Sequence, residues 1–81
     1  MTTIMFENMI EKLFKEAREK GLDYKTIIAK DLHGKVGGYP GRDHRMPICC
    51  DVMRKKMKNG DQILESPPKG NGATLKIKYK L

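Results

Sequence analysis

The sequence lacks tryptophan and has few aromatic residues, with three tyrosines and two phenylalanines among 81 residues. So few rings leave little surface on which unpaired bases can stack, which argues weakly against recognition of RNA or other single strands. No apolar run reaches the length of a membrane span or of a signal peptide's apolar segment. We therefore expect a cytoplasmic protein with no membrane partner.

Cysteine and histidine are also scarce, and their spacing is poor for a metal site. Cys49 and Cys50 are adjacent, so on a helix their side chains diverge by about 100°, whereas structural zinc sites use ligands a few residues apart. His33 and His44 are the remaining soft ligands, and no nucleophile motif accompanies His44. We expect no metal, no cofactor and no enzymatic activity, with Cys49 as a small core residue and Cys50 partly exposed at the core boundary.

Acidic residues are few in the second half of the chain. Residues 1–34 hold six acidic and six basic residues, whereas residues 35–81 hold four acidic and eleven basic ones, and together they give the net charge of +7. A basic surface confined to one half is typical of proteins that bind phosphate-bearing partners. The alternative is a solvated basic surface that serves solubility.

The first predicted element is an amphipathic helix with Thr3 as its N-cap and Gly21 as its left-handed stop. Its apolar stripe has helical spacing and consists of Phe6, Met9, Ile10, Leu13, Phe14 and Ala17. Because such a stripe usually faces a core, a dimer seam or a docking surface for a protein partner is the less ordinary interpretation.

A second helix is predicted from Tyr24 to His33, with Asp23 as its cap and Gly34 as its stop. Ile27, Ile28 and Leu32 would face inward. The connection before it, from Gly21 to Tyr24, is short, with a stub of strand as an option.

A glycine- and proline-rich loop separates this helix from a third one. Pro47 suits the first turn of a helix, because its missing N–H would be unpaired there anyway, and Asn59-Gly60 is the expected end. Gln62–Ser66 and Ala73–Leu81 then read as two strands of a hairpin, joined by a turn at Pro67–Gly72. The second strand alternates strictly, with lysines on one face and apolar residues on the other.

The third helix is predicted to have one apolar arc and one cationic arc. The apolar arc holds Ile48, Cys49, Val52, Met53 and Met57, and the outer arc holds Pro47, Cys50, Asp51, Arg54, Lys55 and Lys58. A helix with a cationic outer face is suited to the major groove, because arginine pairs with guanine and lysine neutralises phosphates.

Three helices followed by a C-terminal β-hairpin make an α+β domain that resembles the winged helix-turn-helix superfamily in element order and charge placement. The resemblance covers nearly the whole chain, 1–81, as a single domain. It implies a non-enzymatic protein that binds double-stranded DNA, such as a transcriptional regulator, with the third helix in the major groove and the hairpin as the wing. The loop of about a dozen residues before the third helix departs from the usual three- or four-residue turn.

The candidate DNA-binding residues lie in that loop, the third helix and the hairpin turn. Arg54 and Lys55 would reach base edges, whereas the others would position the protein on phosphates. These others are Arg42, His44, Arg45, Lys58 and Lys69. We expect the lysines at positions 76, 78 and 80 to be mostly solvated and to blunt an exposed sheet edge. Two alternatives stay open, namely a protein-interaction module that docks an acidic partner and an RNA-binding protein.

Overall fold

The computed structural model describes residues 2–37, 45–68 and 70–81. Within these ranges the chain is an α+β domain of three helices and one antiparallel sheet. Its elements are α1 (Thr2–Glu19), β1 (Tyr24–Ile28), α2 (Ala29–Val36), α3 (Met46–Lys55), β2 (Gln62–Glu65) and β3 (Lys76–Lys80). The predicted class is confirmed, but the predicted order was wrong, because a strand lies between the first two helices.

Helix α1 packs its predicted apolar stripe into the core. Phe6 and Ile10 are fully buried, and Leu13, Phe14 and Ala17 are nearly so. The helix begins at Thr2, so Thr3 lies inside it and is not its N-cap. Gly21 has a φ of +78°, and the Leu22 N–H donates to the Ala17 carbonyl, so the predicted left-handed stop is confirmed.

The segment predicted as the start of a second helix is strand β1. It pairs with β3 in antiparallel register, with Ile27 opposite Ile77. Thr26, Ile27 and Ile28 are β-branched and favour a pleated strand, so Asp23 does not cap a helix. Burial of Ile27 against the helices stabilises this distant pairing.

Helix α2 starts five residues later than predicted and continues past Gly34. It ends at Val36, and the C-cap residue Gly37 has a φ of +113°, in the region that glycine adopts most readily. The Gly37 N–H donates to the His33 carbonyl, so Gly37 and not Gly34 is the stop. Val36, the last residue of the helix, is half-buried against the core.

In the described part of the chain, β3 is the central strand of the sheet, in the order β1-β3-β2. Ile77 and Tyr79 are fully buried under the helices, and the alternate residues Lys76, Lys78 and Lys80 therefore lie on the opposite face. The lysine row does not blunt a sheet edge, because β1 covers the side of β3 that would have been the edge. The predicted antiparallel pairing of β2 with β3 is confirmed, with a register shift between Ile63 and Glu65. Strand β3 starts at Lys76, three residues later than predicted.

Helix α3 starts at Met46 with Pro47 in its first turn, as predicted, and ends at Lys55. This end is four residues earlier than the predicted stop at Asn59-Gly60. No helix in the described ranges is both long enough and apolar enough to cross a membrane.

Candidate nucleic-acid interface

The outward face of α3 is the surface that the sequence analysis predicts to contact DNA bases. The buried residues of the helix are Met46, Cys49, Cys50, Val52 and Met53. Its exposed face carries Pro47, Ile48, Asp51 and Lys55, with Arg54 half-buried at its margin. The predicted arcs were wrong at two positions, because Cys50 is fully buried and Ile48 is 37% exposed.

Cys50 is buried because the connection between β2 and β3 packs over it. We call the described part of this connection, residues 66–68 and 70–75, the wing. The Cys50 thiol donates to the Gly72 carbonyl oxygen at 3.3 Å, and the Gly72 N–H donates to the same sulfur at 3.4 Å. These paired contacts fix the wing against α3.

Arg54 makes a second link between α3 and the wing. Its guanidinium donates to the Asn71 side-chain oxygen at 2.6 Å. An exposed hydrogen bond of this kind contributes little stability, because water competes for both partners. Its consequence is positional, since it holds the guanidinium, which has five N–H donors in all, where the helix meets the wing.

Lys55 lies on the outward face of α3. Its ammonium lies 3.6 Å from an Asp51 carboxylate oxygen, one helical turn away, and both side chains are largely exposed. An exposed pair at this spacing contributes about 0.3–0.5 kcal/mol. The contact is therefore easily exchanged for a phosphate, although Asp51 reduces the positive charge of the face.

The basic residues just after α3 are bound within the protein. The Lys56 ammonium lies 2.8 Å from a Glu11 carboxylate oxygen on α1. The Lys58 ammonium lies 3.4 Å from Asp61 and also donates to the Lys80 carbonyl. Lys58, predicted as a phosphate contact, thus links the end of α3 to the sheet.

Asp61 is the centre of this link. Its carboxylate accepts hydrogen bonds from the backbone N–H groups of Lys80 at 2.7 Å and of Lys58 at 2.9 Å. Burial acts to raise the pKa of Asp61, but these two hydrogen bonds and the Lys58 ammonium together lower it below its usual value.

Arg45 is the residue at the N-cap of α3 and is exposed. Its backbone N–H donates to Nε2 of the buried His33 at 2.8 Å, and the His33 ring packs edge-on against Phe6 at 5.2 Å. A histidine of α2 therefore positions the first turn of α3. Among the described residues, the Arg45 side chain is the basic group closest in sequence to that N-terminus, where free N–H groups favour an anion.

Three predicted contacts, Arg42, His44 and Lys69, lie outside the described residues. Those inside separate into two groups. Arg45, Arg54 and Lys55 belong to α3 and its N-cap, whereas Lys58 lies at the Asp61 link.

No group of three or more histidine, cysteine or acidic side chains comes together as a metal site within residues 2–37, 45–68 and 70–81. Cys49 is fully buried, as predicted, and its thiol points at the Ala29 carbonyl oxygen at 3.6 Å. Burial, assisted by the neighbouring Cys50, raises the pKa of Cys49 to about 12. A thiol that stays protonated is a poor nucleophile and a poor metal ligand.

Sequence reasoning missed the residues that set the position of α3. His33 follows Ala29 and Leu32 at helical spacing, and all three are buried. This buried stripe in the sequence was a signal that His33 lies in the core. Asn71 and Gly72 carry no such signal, because their contacts depend on how the wing folds over α3.

No protein-family model matches the chain, and neither a curated protein nor a solved structure shows significant similarity to it.

Proposed function

We propose that this protein is a non-enzymatic, winged-helix-type domain that binds double-stranded DNA through α3 and the wing. The observation that carries the proposal is the joining of these two elements by Arg54 and Asn71 at 2.6 Å. Together with the Cys50–Gly72 contacts, this bond makes one continuous surface from a helix and a hairpin connection. A protein that inserts a helix into the major groove and contacts the adjacent DNA backbone requires such a surface.

The shape of α3 supports insertion into the major groove. The groove is about 12 Å wide and admits an α-helix, and the outward face of α3 is free of bulky aromatic residues. In the proposed complex Arg54 makes two hydrogen bonds to a guanine, whereas Lys55 exchanges Asp51 for a base edge or a phosphate. Ile48 adds an exposed apolar group, which suits a thymine methyl.

Electrostatics supports a polyanionic partner. The excess of positive charge lies entirely in residues 35–81, which include α3, the wing and the preceding loop. We assign phosphate contacts to Arg45 at the α3 N-terminus, to Arg42 and His44, which precede the helix in sequence, and to Lys69, which follows it. Lys58 instead has a structural role, since its ammonium is held by Asp61 and the Lys80 carbonyl.

The test is a comparison of four variants in duplex DNA titrations, with the preferred site first selected from random duplexes. Arg54→Ala should weaken binding to that site by about 1–3 kcal/mol and relax specificity at one base pair. Lys55→Ala should reduce affinity as well. Lys12→Ala and Lys15→Ala on the exposed side of α1 remove the same charge and should change little.

A fifth variant separates a direct DNA contact from a bracing role. Asn71→Ala removes the bond between Arg54 and the wing but keeps the guanidinium. If Arg54 contacts DNA, Asn71→Ala should retain most of the affinity. An equal loss of affinity in Arg54→Ala and Asn71→Ala would show that Arg54 only supports the wing. Failure of the parent protein to bind any duplex would refute the proposed function and favour an acidic protein partner.

A further inference from the structure

The face of the sheet that points away from the helices is a second cationic surface, and the proposed function does not use it. Three lysines of the central strand, Lys76, Lys78 and Lys80, stand in a row on this face because Ile77 and Tyr79 between them are buried. Tyr24 of β1 lies beside the row and is 46% exposed. We call these four residues the sheet platform.

The charges of the platform differ from those at the end of α3. Lys55, Lys56 and Lys58 each lie within 4 Å of a carboxylate. In the part of the chain that the structure describes, the platform lysines form no ion pair. The Lys78 ammonium instead lies over the Tyr24 ring, 4.2 Å from its centroid, and the nearest acidic residue in strand register is Glu65, opposite Lys76.

We propose that the sheet platform binds single-stranded DNA. Alternate residues of a strand are roughly 6.8 Å apart, a distance comparable to the spacing of successive phosphates in an extended polynucleotide. The lysine row can therefore follow the backbone of one strand, while a base stacks on Tyr24 in place of the Lys78 ammonium. Single-strand-binding proteins combine the same two features, a cationic track and an aromatic ring.

The breadth of the surface favours a single strand over a duplex. A DNA groove admits one helix or a two-stranded ribbon, whereas this platform is the broad face of a three-stranded sheet in the described chain. An extended strand lies along such a face without entering a groove. Because one tyrosine offers one stacking position, phosphate contacts dominate and the binding tolerates any base sequence.

The experiment measures binding of a fluorescent oligo-dT of about twenty nucleotides to the whole protein at several salt concentrations. Replacing all three lysines with glutamine (Lys76→Gln, Lys78→Gln and Lys80→Gln) should reduce the magnitude of the log–log salt slope by about 2, since each single-strand phosphate contact contributes about 0.7. The matched control carries Lys12→Gln and Lys15→Gln on α1 and Lys20→Gln just after its end, which removes the same charge, and should keep the parent slope. Thermal melting establishes that each variant is folded.

Two further variants test the roles of the ring and of the nearby acid. Tyr24→Leu should weaken oligo-dT binding by roughly 5- to 150-fold, the range for loss of one stacked base, and should leave binding of an abasic oligonucleotide unchanged. Glu65→Gln should tighten binding, because it removes the carboxylate opposite Lys76.

The platform and α3 are tested separately by these variants. The platform triple variant should keep the parent's duplex affinity, and Arg54→Ala should keep the parent's oligo-dT affinity. Equal slopes for the two triple variants, or equal binding of oligo-dT and polyglutamate, would overturn the platform proposal. That result would leave duplex binding by α3 unaffected.

Discussion

The Tyr79 hydroxyl is expected to stabilise the C-terminal end of α3. The last four carbonyls of a helix have no partner within it. In α3 the Val52 and Arg54 carbonyls accept N–H groups of the following turn, and the Met53 carbonyl accepts the Tyr79 hydroxyl at 2.7 Å. Tyr79 and Met53 are both fully buried, so no water replaces this bond when it is removed.

Tyr79→Phe deletes the hydroxyl and keeps the ring, which packs edge-on against Phe14 at 5.0 Å. An unsatisfied buried acceptor costs about 1–3 kcal/mol, and for a domain of this size each kcal/mol corresponds to about 4–8 °C in melting temperature. Tyr24→Phe is the matched control. It deletes a hydroxyl from a half-exposed ring and should stay within about 0.5 kcal/mol of the parent.

The assay is urea unfolding followed by circular dichroism, with thermal melting as a second measure. If Tyr79→Phe is no less stable than Tyr24→Phe, the hydroxyl does not cap α3 and the link between the central strand and the helix is wrong.

Four other predictions concern the core, metal binding and the Asp61 link. Met53→Ala should lose about 2–5 kcal/mol, since Met53 is fully buried; a stability equal to the parent's would place it outside the core. Both cysteines should resist alkylation until the protein unfolds, because they are buried and the pKa of Cys49 is raised; mass spectrometry of the native protein after treatment with iodoacetamide checks this. Chelators should leave the melting temperature unchanged, and a fall of several degrees would indicate a bound metal. The folded pKa of Asp61 is lowered, so its stabilising contribution is complete above the unfolded value of about 3.9 and is lost as the pH falls through the folded value. We therefore expect the stability difference between the parent and Asp61→Asn, measured by urea unfolding from pH 7 to 3, to shrink as the pH falls. A difference that stays constant would contradict a stabilising role for the charged Asp61 carboxylate.

The parts of the fold that depend on local periodicity could be predicted from the sequence. The α1 stripe has about three helical turns of regular spacing, and the alternation in β3 extends over the whole strand. The Gly21 stop and the first-turn Pro47 follow from backbone preferences that act at a single residue. The candidate surface on α3 was predicted in outline for the same reason, because helix periodicity separates Arg54 and Lys55 from Met53.

The parts that depend on distant contacts could not be predicted. Strand β1 has five residues, too few for alternation to be distinguished from a helical stripe, and its partner Ile77 lies fifty positions after Ile27. The prediction that the lysine row blunts a sheet edge was wrong because the sequence analysis did not predict β1. Without β1, β3 would have been an edge strand of the sheet. Cys50 was misplaced because the wing, a neighbour that no periodicity reveals, covers it.

Duplex DNA binding measured as a function of salt tests most directly whether α3 and the wing form a DNA-binding surface. Four to six neutralised phosphates predict a slope of about −4 to −5 in a plot of log affinity against log salt. Arg54→Ala and Lys55→Ala should weaken binding at every salt concentration, and a substitution that removes a phosphate contact should also reduce the slope by about 1. A slope near zero, or no binding at about 50 mM salt, would contradict the proposed function.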